Sequence, residues 1–560
     1  MEKIVFFLIF LALLVRVPFL NREFALEEAF HARAAKTVAD TLYPLMYYGE
    51  QQPPTIYLDR PPALIMALAA SFKIFGVSEL SARAVPLIFF FAALLILFRF
   101  AKKLFDNHTA AILALIFLSL HPYMIQNSLM LHFDGALVLF FSSAYLLLAL
   151  VKITKKKNTW TSHIQLAAII YFSLWVKYEP TLLMIATVVV FTRIYYKPFL
   201  KKLIISSLLA TILFSISFFL YNFIMGHPQG FWLPLERITQ LSKGSYLGKI
   251  TPDQSLSMWA GSYYIAIRFL SWLSIPTILL SIYAAIRFLQ EKTLRKDPKI
   301  IFLVTWTLVF TTTYIIAGWA GDYPRYFAPA IPPLFLFIAM TIDHDFAKFK
   351  KNLRAKSIIA TAVTTLVIFI VMLKNNLLFL DHITGWIPLL QIPFFTILSL
   401  GITLLLFLAI KHKKHLIFYL LVVIFLNLLQ ITVQYVHDAK SNYSLTNFYG
   451  HGGYKQSGQF LKDKFTNKDV AILTIDPVGY YWQGKYFDYY QMGYHRINDP
   501  EIFKDAFLNN KIAAVALPKE YARQYATNIK KTGFDFNKYL ANNYKNKRNF
   551  GGEKGIEVWY

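Results

Sequence analysis

Apolar runs of about 18 or more residues recur along most of the chain, separated by short polar stretches, and runs of that length cross a bilayer as helices. They fall near 4–20, 82–102, 108–126, 133–151, 164–178, 180–196, 202–224, 263–288, 300–318, 326–342, 357–374, 388–410 and 415–436. The pattern predicts about 13 transmembrane helices. The first segment, Ile4 to Leu20, lacks a small-x-small cleavage site, and Arg16 and Pro18 interrupt its end, so it reads as a retained span rather than a signal peptide. Pro61 to Phe75 is apolar but short. It reads as a helix at the interface or dipping into it, since Pro is tolerated in a first helical turn.

Between the first span and this short helix lies Asn21 to Pro62, NREFALEEAFHARAAKTVADTLYPLMYYGEQQPPTIYLDRPP. A loop of that length is more than a connector. It holds the pair Glu27-Glu28, Arg60 and two Pro-Pro steps, and reads as an active-site loop at a membrane surface, with the outer region continuing to about residue 81.

The end of the chain changes character. From His437 to Tyr560 it is polar, opening on Gly450, Gly452 and Gly453. Helix-like stretches at Tyr454 to Phe465, Pro500 to Leu508 and Lys519 to Lys530 alternate with strand-like ones at Val470 to Ile475, Ile512 to Leu517 and Gly555 to Tyr560. That alternation predicts a small α/β domain over 437–560, after a transmembrane domain over 1–436.

Composition agrees. Of 560 residues, 56% are hydrophobic and 16% charged, against about 25% charged in an ordinary soluble domain. The expected fold is an all-α multi-pass membrane protein with a small extracytoplasmic α/β C-terminal domain. In a soluble protein a net charge of +26 would suggest nucleic acid. Here the positive residues fall in alternate loops. Lys102-Lys103, Lys155 to Lys157, Lys197 with Lys201-Lys202, Arg295-Lys296, Lys348 with Lys350-Lys351, and Lys411 with Lys413-Lys414 share one side. Gln126 to His132 has no Lys or Arg, and Gly318 to Tyr326 has only Arg325. By the positive-inside rule the N-terminus is cytoplasmic, and an odd number of spans puts the C-terminal domain outside. A plasma or inner membrane location is expected, with no nucleic-acid partner. Met225 to Ser262 becomes a second outer loop. The absence of cysteine removes disulfides, thiol nucleophiles and thiolate metal sites.

Several outer-side residues are candidates for chemistry. Glu27 and Glu28 open an expected helix, Glu27 to Ala39. They serve either its positive N-terminal dipole or catalysis. Adjacent helical residues point about 100° apart, so only one of the two faces a given centre. Asp134, at the start of a span, is either a helix cap or an ionisable group facing an interior or cavity. Arg60, stiffened by Pro61-Pro62, either anchors at lipid headgroups or binds a phosphate bidentately. Lys177 and Glu179, between tightly joined spans, read as a pair with each other. Arg325-Tyr326 runs against the positive-inside trend and signals an anion. Histidines such as His31 and His132 show no zinc spacing, so no metal site is expected.

In order, these features are an acidic pair after span one, a basic residue before Pro-Pro, FGVSELSARAVP, a span beginning near an aspartate, and RYFAPAIPPL. This order resembles the polytopic GT-C glycosyltransferases that use polyprenyl-phosphate sugars, among them the protein mannosyltransferases and the aminoarabinose lipid A transferases. The resemblance covers residues 1–345 by motif and the remainder in layout only. It implies that Glu27 stands at the place of the catalytic aspartate and Glu28 at the second acid. It implies further that Arg60 replaces the usual lysine of Lys-Pro-Pro, and that Asp134 matches a later catalytic-site aspartate. Lys177, Arg325 and Tyr326 join Glu28 and Arg60 as substrate-binding candidates.

The activity so implied is inverting transfer of a sugar from a polyprenyl-phosphate donor to a lipid, glycan or protein acceptor outside the membrane, with a carboxylate as general base. No resident cofactor is called for, and a divalent cation is left open. The alternative is a transporter or flippase of lipid-linked saccharides. Such proteins place polar sites near the bilayer midplane, within internal repeats.

Overall fold

The computed structural model describes residues 2–24, 26–46, 55–56, 61–105, 108–156, 159–232, 273, 275–316, 324–347, 452–465, 471–488, 512–519, 522, 526, 534–551 and 555–560. The chain opens on α1 (Glu2–Leu14) and a 3₁₀ turn (Val17–Phe19). The first loop forms α2 (Leu26–Thr41), two short paired strands, β1 (Leu45–Met46) and β2 (Thr55–Ile56), and then α3 (Ala63–Phe75). A helical series follows: α4 (Glu79–Phe105), α5 (His108–Leu120), α6 (Pro122–Asn127), α7 (Ala136–Thr154), α8 (Trp160–Val176), α9 (Tyr178–Tyr195) and α10 (Lys197–Ile224). It continues with α11 (Ile275–Gln290), α12 (Lys292–Lys296), α13 (Pro298–Ile316), the 3₁₀ turn Pro324–Ala330 and α14 (Ile331–Ala347).

The described part of each expected span from the first to the tenth is largely helical, the third being divided between α5 and α6 and residues 263–272 of the eighth lying outside the described residues. Among the described residues, five helices are long and apolar enough to cross a membrane: Glu79–Lys103, Ala136–Thr154, Lys197–Ile224, Pro298–Ile316 and Tyr326–Asp345. The expected spans at 357–374, 388–410 and 415–436, and most of the loop over 225–262, lie outside the described residues.

The bundle encloses one large apolar core. Tyr145, Leu146 and Leu150 of α7, Phe117 of α5, Trp306 of α13 and Phe335 of α14 all belong to it. Isoleucine, leucine and phenylalanine side chains on α4, α8 and α10, such as Ile88, Ile164, Leu208 and Ile216, remain exposed, as suits helices whose outer face meets lipid rather than water.

Two buried arginines show how charge is accommodated here. A buried guanidinium is costly unless it is paired and hydrogen-bonded. Arg16 follows α1 and turns inward, donating from Nη1 to the Ala12 and Ser119 carbonyls (2.6 and 2.9 Å) and from Nε to Ser128 Oγ (2.7 Å), beneath the Phe90 ring. It thus ties the first span to α5 and α6. Arg287 of α11 binds Asp345 of α14 through Nε and Nη2, both at 2.6 Å, and Tyr283 donates to the same carboxylate (2.6 Å).

α3 is amphipathic in the way a helix lying along a bundle must be. It buries Leu64, Ile65, Leu68 and Phe72 against α2 and α4 while Ile74 and Phe75 stay exposed.

The C-terminal segment comprises α15 (Tyr454–Lys464), β3 (Ala471–Thr474), α16 (Asp476–Trp482), β4 (Tyr486–Asp488), β5 (Ile512–Pro518), α17 (Phe536–Asn543), β6 (Lys547–Phe550) and β7 (Ile556–Trp559). Its sheet has the order β4-β3-β5-β7-β6, parallel through the first three strands and antiparallel through the last three. Leu473, Val515 and Val558 in the strands and Trp482 of α16 are buried in its core.

The helix expected at 454–465 and the strands at 470–475, 512–517 and 555–560 are present. The helix expected at 500–508 lies outside the described residues, as does most of 519–530. The pattern alone did not show α16, β4, α17 and β6. α16 reads as a turn because it contains Pro477 and Gly479, and β6 is a polar edge strand with Lys547, Arg548 and Asn549 exposed.

Candidate active site

One set of helix ends converges on one place: the end of the first span, α2, the start of α4, the α6–α7 turn, the α8–α9 junction and the turn before α14. The other end of the bundle carries the basic residues, such as Lys102 and Lys103 in the last turn of α4.

α2 begins at Leu26, so Glu27 and Glu28 lie in its first turn. Glu28 is buried and its carboxylate is committed to donors from three separate elements. Arg22 Nη2 donates to Oε1 and Oε2 (3.0 and 2.8 Å), Arg83 Nη2 of α4 to Oε2 (2.9 Å), and the Leu131 backbone N–H to Oε1 (3.3 Å). The same Arg83 nitrogen also reaches the Glu23 carbonyl (3.3 Å). Two guanidiniums thus share one buried carboxylate. Glu28, expected among the substrate-binding residues, is held by protein donors and fixes the start of α2 against α4 and the 131–134 turn.

Of Glu27 only the helical backbone is described. It sits one turn before His31, and residues four apart share a helix face. His31 in turn meets the segment leading to Asp134: its Nδ1 bonds the Leu131 carbonyl (2.5 Å), and its ring lies edge-on to His132 at 5.4 Å and to Phe133 at 4.8 Å.

Asp134 precedes α7 but does not cap it: the N-cap is Gly135, with no side-chain cap bond. A Cβ on Gly135 would meet the His132 carbonyl at 3.0 Å, so this tight turn suits glycine. Asp134 instead forms a buried ion pair with Lys177, and its Oδ2 lies 3.2 Å from His132 Nδ1. The expected Lys177–Glu179 pairing is corrected here. Lys177 is the extended residue between α8 and α9, and a neighbour two positions on, in the first turn of a helix, is less favourably placed than the facing α7 start. The Lys177 ammonium also sits 4.4 Å from the centre of the Tyr326 ring, a cation–π distance. Tyr326 packs on Tyr314, with ring centres 5.8 Å apart. Glu179 is buried, and its Oε2 has no hydrogen-bond partner among the described residues.

Asp134, Lys177 and Tyr326, named from sequence as separate candidates, thus form one cluster. Arg60 lies outside the described residues. Arg325 falls in the 3₁₀ turn Pro324–Ala330, and its side chain is not described. Among the described residues no three His, Asp or Glu side chains are grouped to hold a metal ion.

Sequence reasoning missed Arg22, Glu23, Arg83 and the histidine contacts. The available signal was charge at the outer ends of spans: Arg22 and Arg83 both stand on the side where Lys and Arg are scarce.

The described residues thus form a helical bundle with buried acid–base pairs gathered at one end of its helices. The chain is similar over almost its whole length to ArnT from Cupriavidus metallidurans in the apo state, with a TM-score of 0.60, 14% identity, and coverage of 99% of this chain and 97% of that one. Against the same protein bound to undecaprenyl phosphate the TM-score is 0.54, with 13% identity and the same coverage. Residues 59–221 match the model of the dolichyl-phosphate-mannose-protein mannosyltransferase family. No curated protein matches by sequence. The resemblance read from the sequence is thus shown at the level of fold and of a family match spanning α3 to α10.

Proposed function

We propose that this protein is a membrane glycosyltransferase. It moves a sugar from a polyprenyl-phosphate donor to a lipid, glycan or protein acceptor on the outer side of the membrane. The observation that carries the reading is the convergence of α2, its Glu28 clamped by Arg22 and Arg83, with the Asp134–Lys177–Tyr326 cluster at one end of the bundle. The family match, and the fold likeness to a protein crystallised with undecaprenyl phosphate, support the donor class.

In this reading the acceptor hydroxyl oxygen attacks the anomeric carbon and inverts it, the bond from that carbon to the phosphate oxygen breaks, and polyprenyl phosphate leaves. Glu27 takes the hydroxyl proton. Arg60, with Arg325, neutralises the charge growing on the departing phosphate. Glu28 orients α2 rather than taking part in proton transfer. Lys177 pairs with Asp134 at the edge of the same site, and Tyr326 supplies an aromatic wall.

The test is transfer by purified protein from a radiolabelled polyprenyl-phosphate sugar panel to membrane lipid and peptide acceptors. Glu27→Gln keeps the shape and removes the base, and is expected to lower turnover by about 10²–10⁴-fold with folding intact. Glu27→Asp retains partial activity. Movement of the lipid-linked sugar between leaflets, with no covalent transfer by the wild type, would favour the transport reading instead.

A further inference from the structure

The reaction leaves unused a set of buried and half-buried polar contacts that join the C-terminal domain to the loop before α2 and the start of α4. Glu23 is buried, and its carboxylate accepts from two backbone N–H groups at the start of α15, Gly453 (3.0 Å) and Lys455 (2.8 Å). Gly453 has φ +81°, and a Cβ there would come within 2.7 Å of the Phe550 backbone. Only glycine therefore fits where α15 meets the loop.

One residue on, the Phe24 N–H donates to the Tyr481 hydroxyl (2.9 Å), which in turn donates to Glu79 Oε1 (3.0 Å). Burial pushes the Tyr481 phenol up, so it stays protonated and able to donate. The same Glu79 oxygen receives Lys455 Nζ (2.8 Å). The Phe24 ring packs against Tyr480 and Tyr481 and lies 5.2 Å from the Arg83 guanidinium. Further along α2, Arg33 donates to the Tyr486 hydroxyl.

Arg83 closes the circuit, because a single nitrogen holds both the Glu23 carbonyl and the Glu28 carboxylate. The path from α15 to Glu28 is thus continuous: helix N–H groups, Glu23, Arg83, Glu28. Nothing in the transfer chemistry requires a carboxylate at position 23 to be bound by another domain. Its geometry instead fixes the backbone immediately before the turn that carries Glu27.

We propose that the C-terminal domain positions the catalytic loop, with Glu23 as the positioning residue and the Glu79–Lys455–Tyr481 contacts as the clasp that holds the domain in place. The proposal rests on the glycosyltransferase reading for its consequence in turnover, but its structural half is independent of that reading. Loss of the clasp frees residues 22–31 and misplaces the base without removing any group that touches substrate.

The experiment exchanges the charges of the clasp in the full-length protein: Lys455→Glu, Glu79→Lys and the two together, with Tyr481→Phe as an uncharged perturbation. Two quantities are read, amide hydrogen exchange over residues 24–35 and transfer kinetics. Each single reversal is expected to raise exchange in that stretch, and Tyr481→Phe to raise it less. The double exchange returns it toward wild type, which a simple folding defect in either domain would not do. Turnover falls by about 10- to 100-fold in the single variants while the donor KM stays near wild type, and recovers in the double variant. Unchanged exchange over 24–35 in Lys455→Glu and Tyr481→Phe overturns the proposal, as does normal turnover in a variant whose exchange has risen. If the wild type transfers no sugar, the exchange measurement still decides whether the domain positions the loop, and that failure belongs to the functional reading.

Discussion

Lys177 reaches Asp134, 43 residues earlier in the chain, rather than Glu179 two residues away. Both partners are buried, so the pair binds the start of α7 to the α8–α9 junction at the place where the site is built. Breaking a buried pair on one side costs about 3–5 kcal/mol. Asp134→Asn and Lys177→Met are therefore each expected to be strongly destabilising, and the double substitution to be less so than the sum of the two. Denaturant unfolding in detergent measures this. Strict additivity would show that the two groups do not depend on each other.

Glu28 yields a different expectation from the one its sequence position suggests. As an orienting residue at a helix end, Glu28→Gln would be mild. In the structure it neutralises two buried arginines, so the same substitution exposes their mutual repulsion. Glu28→Gln is expected to lose about 3–5 kcal/mol of stability, judged from other buried pairs broken on one side. Thermal unfolding of the purified variant checks it. A variant as stable as wild type but inactive in transfer would assign Glu28 to the chemistry.

Orientation follows from the alternating basic loops. The N-terminus is expected in the cytoplasm and the C-terminal domain outside. A reporter that works only in the cytoplasm, fused after Tyr560, should give no signal, and one fused after Lys157 should be active. Signal from the Tyr560 fusion would mean an even number of spans.

The helices were legible because membrane spans announce themselves by length and apolarity alone, and α2 because its alanines and glutamates suit a helix beginning near residue 27. The site was legible in its parts and not in its connections. Asp134, Lys177 and Tyr326 could each be picked out as polar or aromatic at a span end. That they meet depends on which helices are neighbours, and periodicity within one helix carries no such information. Arg83 was hidden for the same reason. On its own it is a charge in the first turns of α4, and only the fold, which brings the start of α4 to the loop before α2, makes it the bridge between Glu23 and Glu28. In the C-terminal domain the buried strands were readable from their apolar runs. The polar edge strand β6 was not, because pairing with β7 holds it in the sheet and its own residues give no such signal.

The last expectation concerns Arg60, whose place before Pro61-Pro62 motivates a role in binding the donor phosphate. Proline at both following positions restricts the backbone and limits where residue 60 can sit. It immediately precedes α3, which packs on α2 and α4 beside the acidic loop. A cation there is suited to the phosphate of a lipid whose chain lies in the membrane. A charged hydrogen bond of this kind contributes about 1.5–3 kcal/mol, equivalent to about 10- to 100-fold in affinity. Arg60→Ala is expected to weaken binding of polyprenyl phosphate by that factor, and Arg60→Lys to keep much of it, since the charge remains and only the bidentate geometry is lost. Ligand-induced thermal stabilisation, titrated with the polyprenyl phosphate alone, measures the affinity without requiring turnover. If Arg60→Ala binds as tightly as wild type, the phosphate is held elsewhere, and Arg325 becomes the next residue to test.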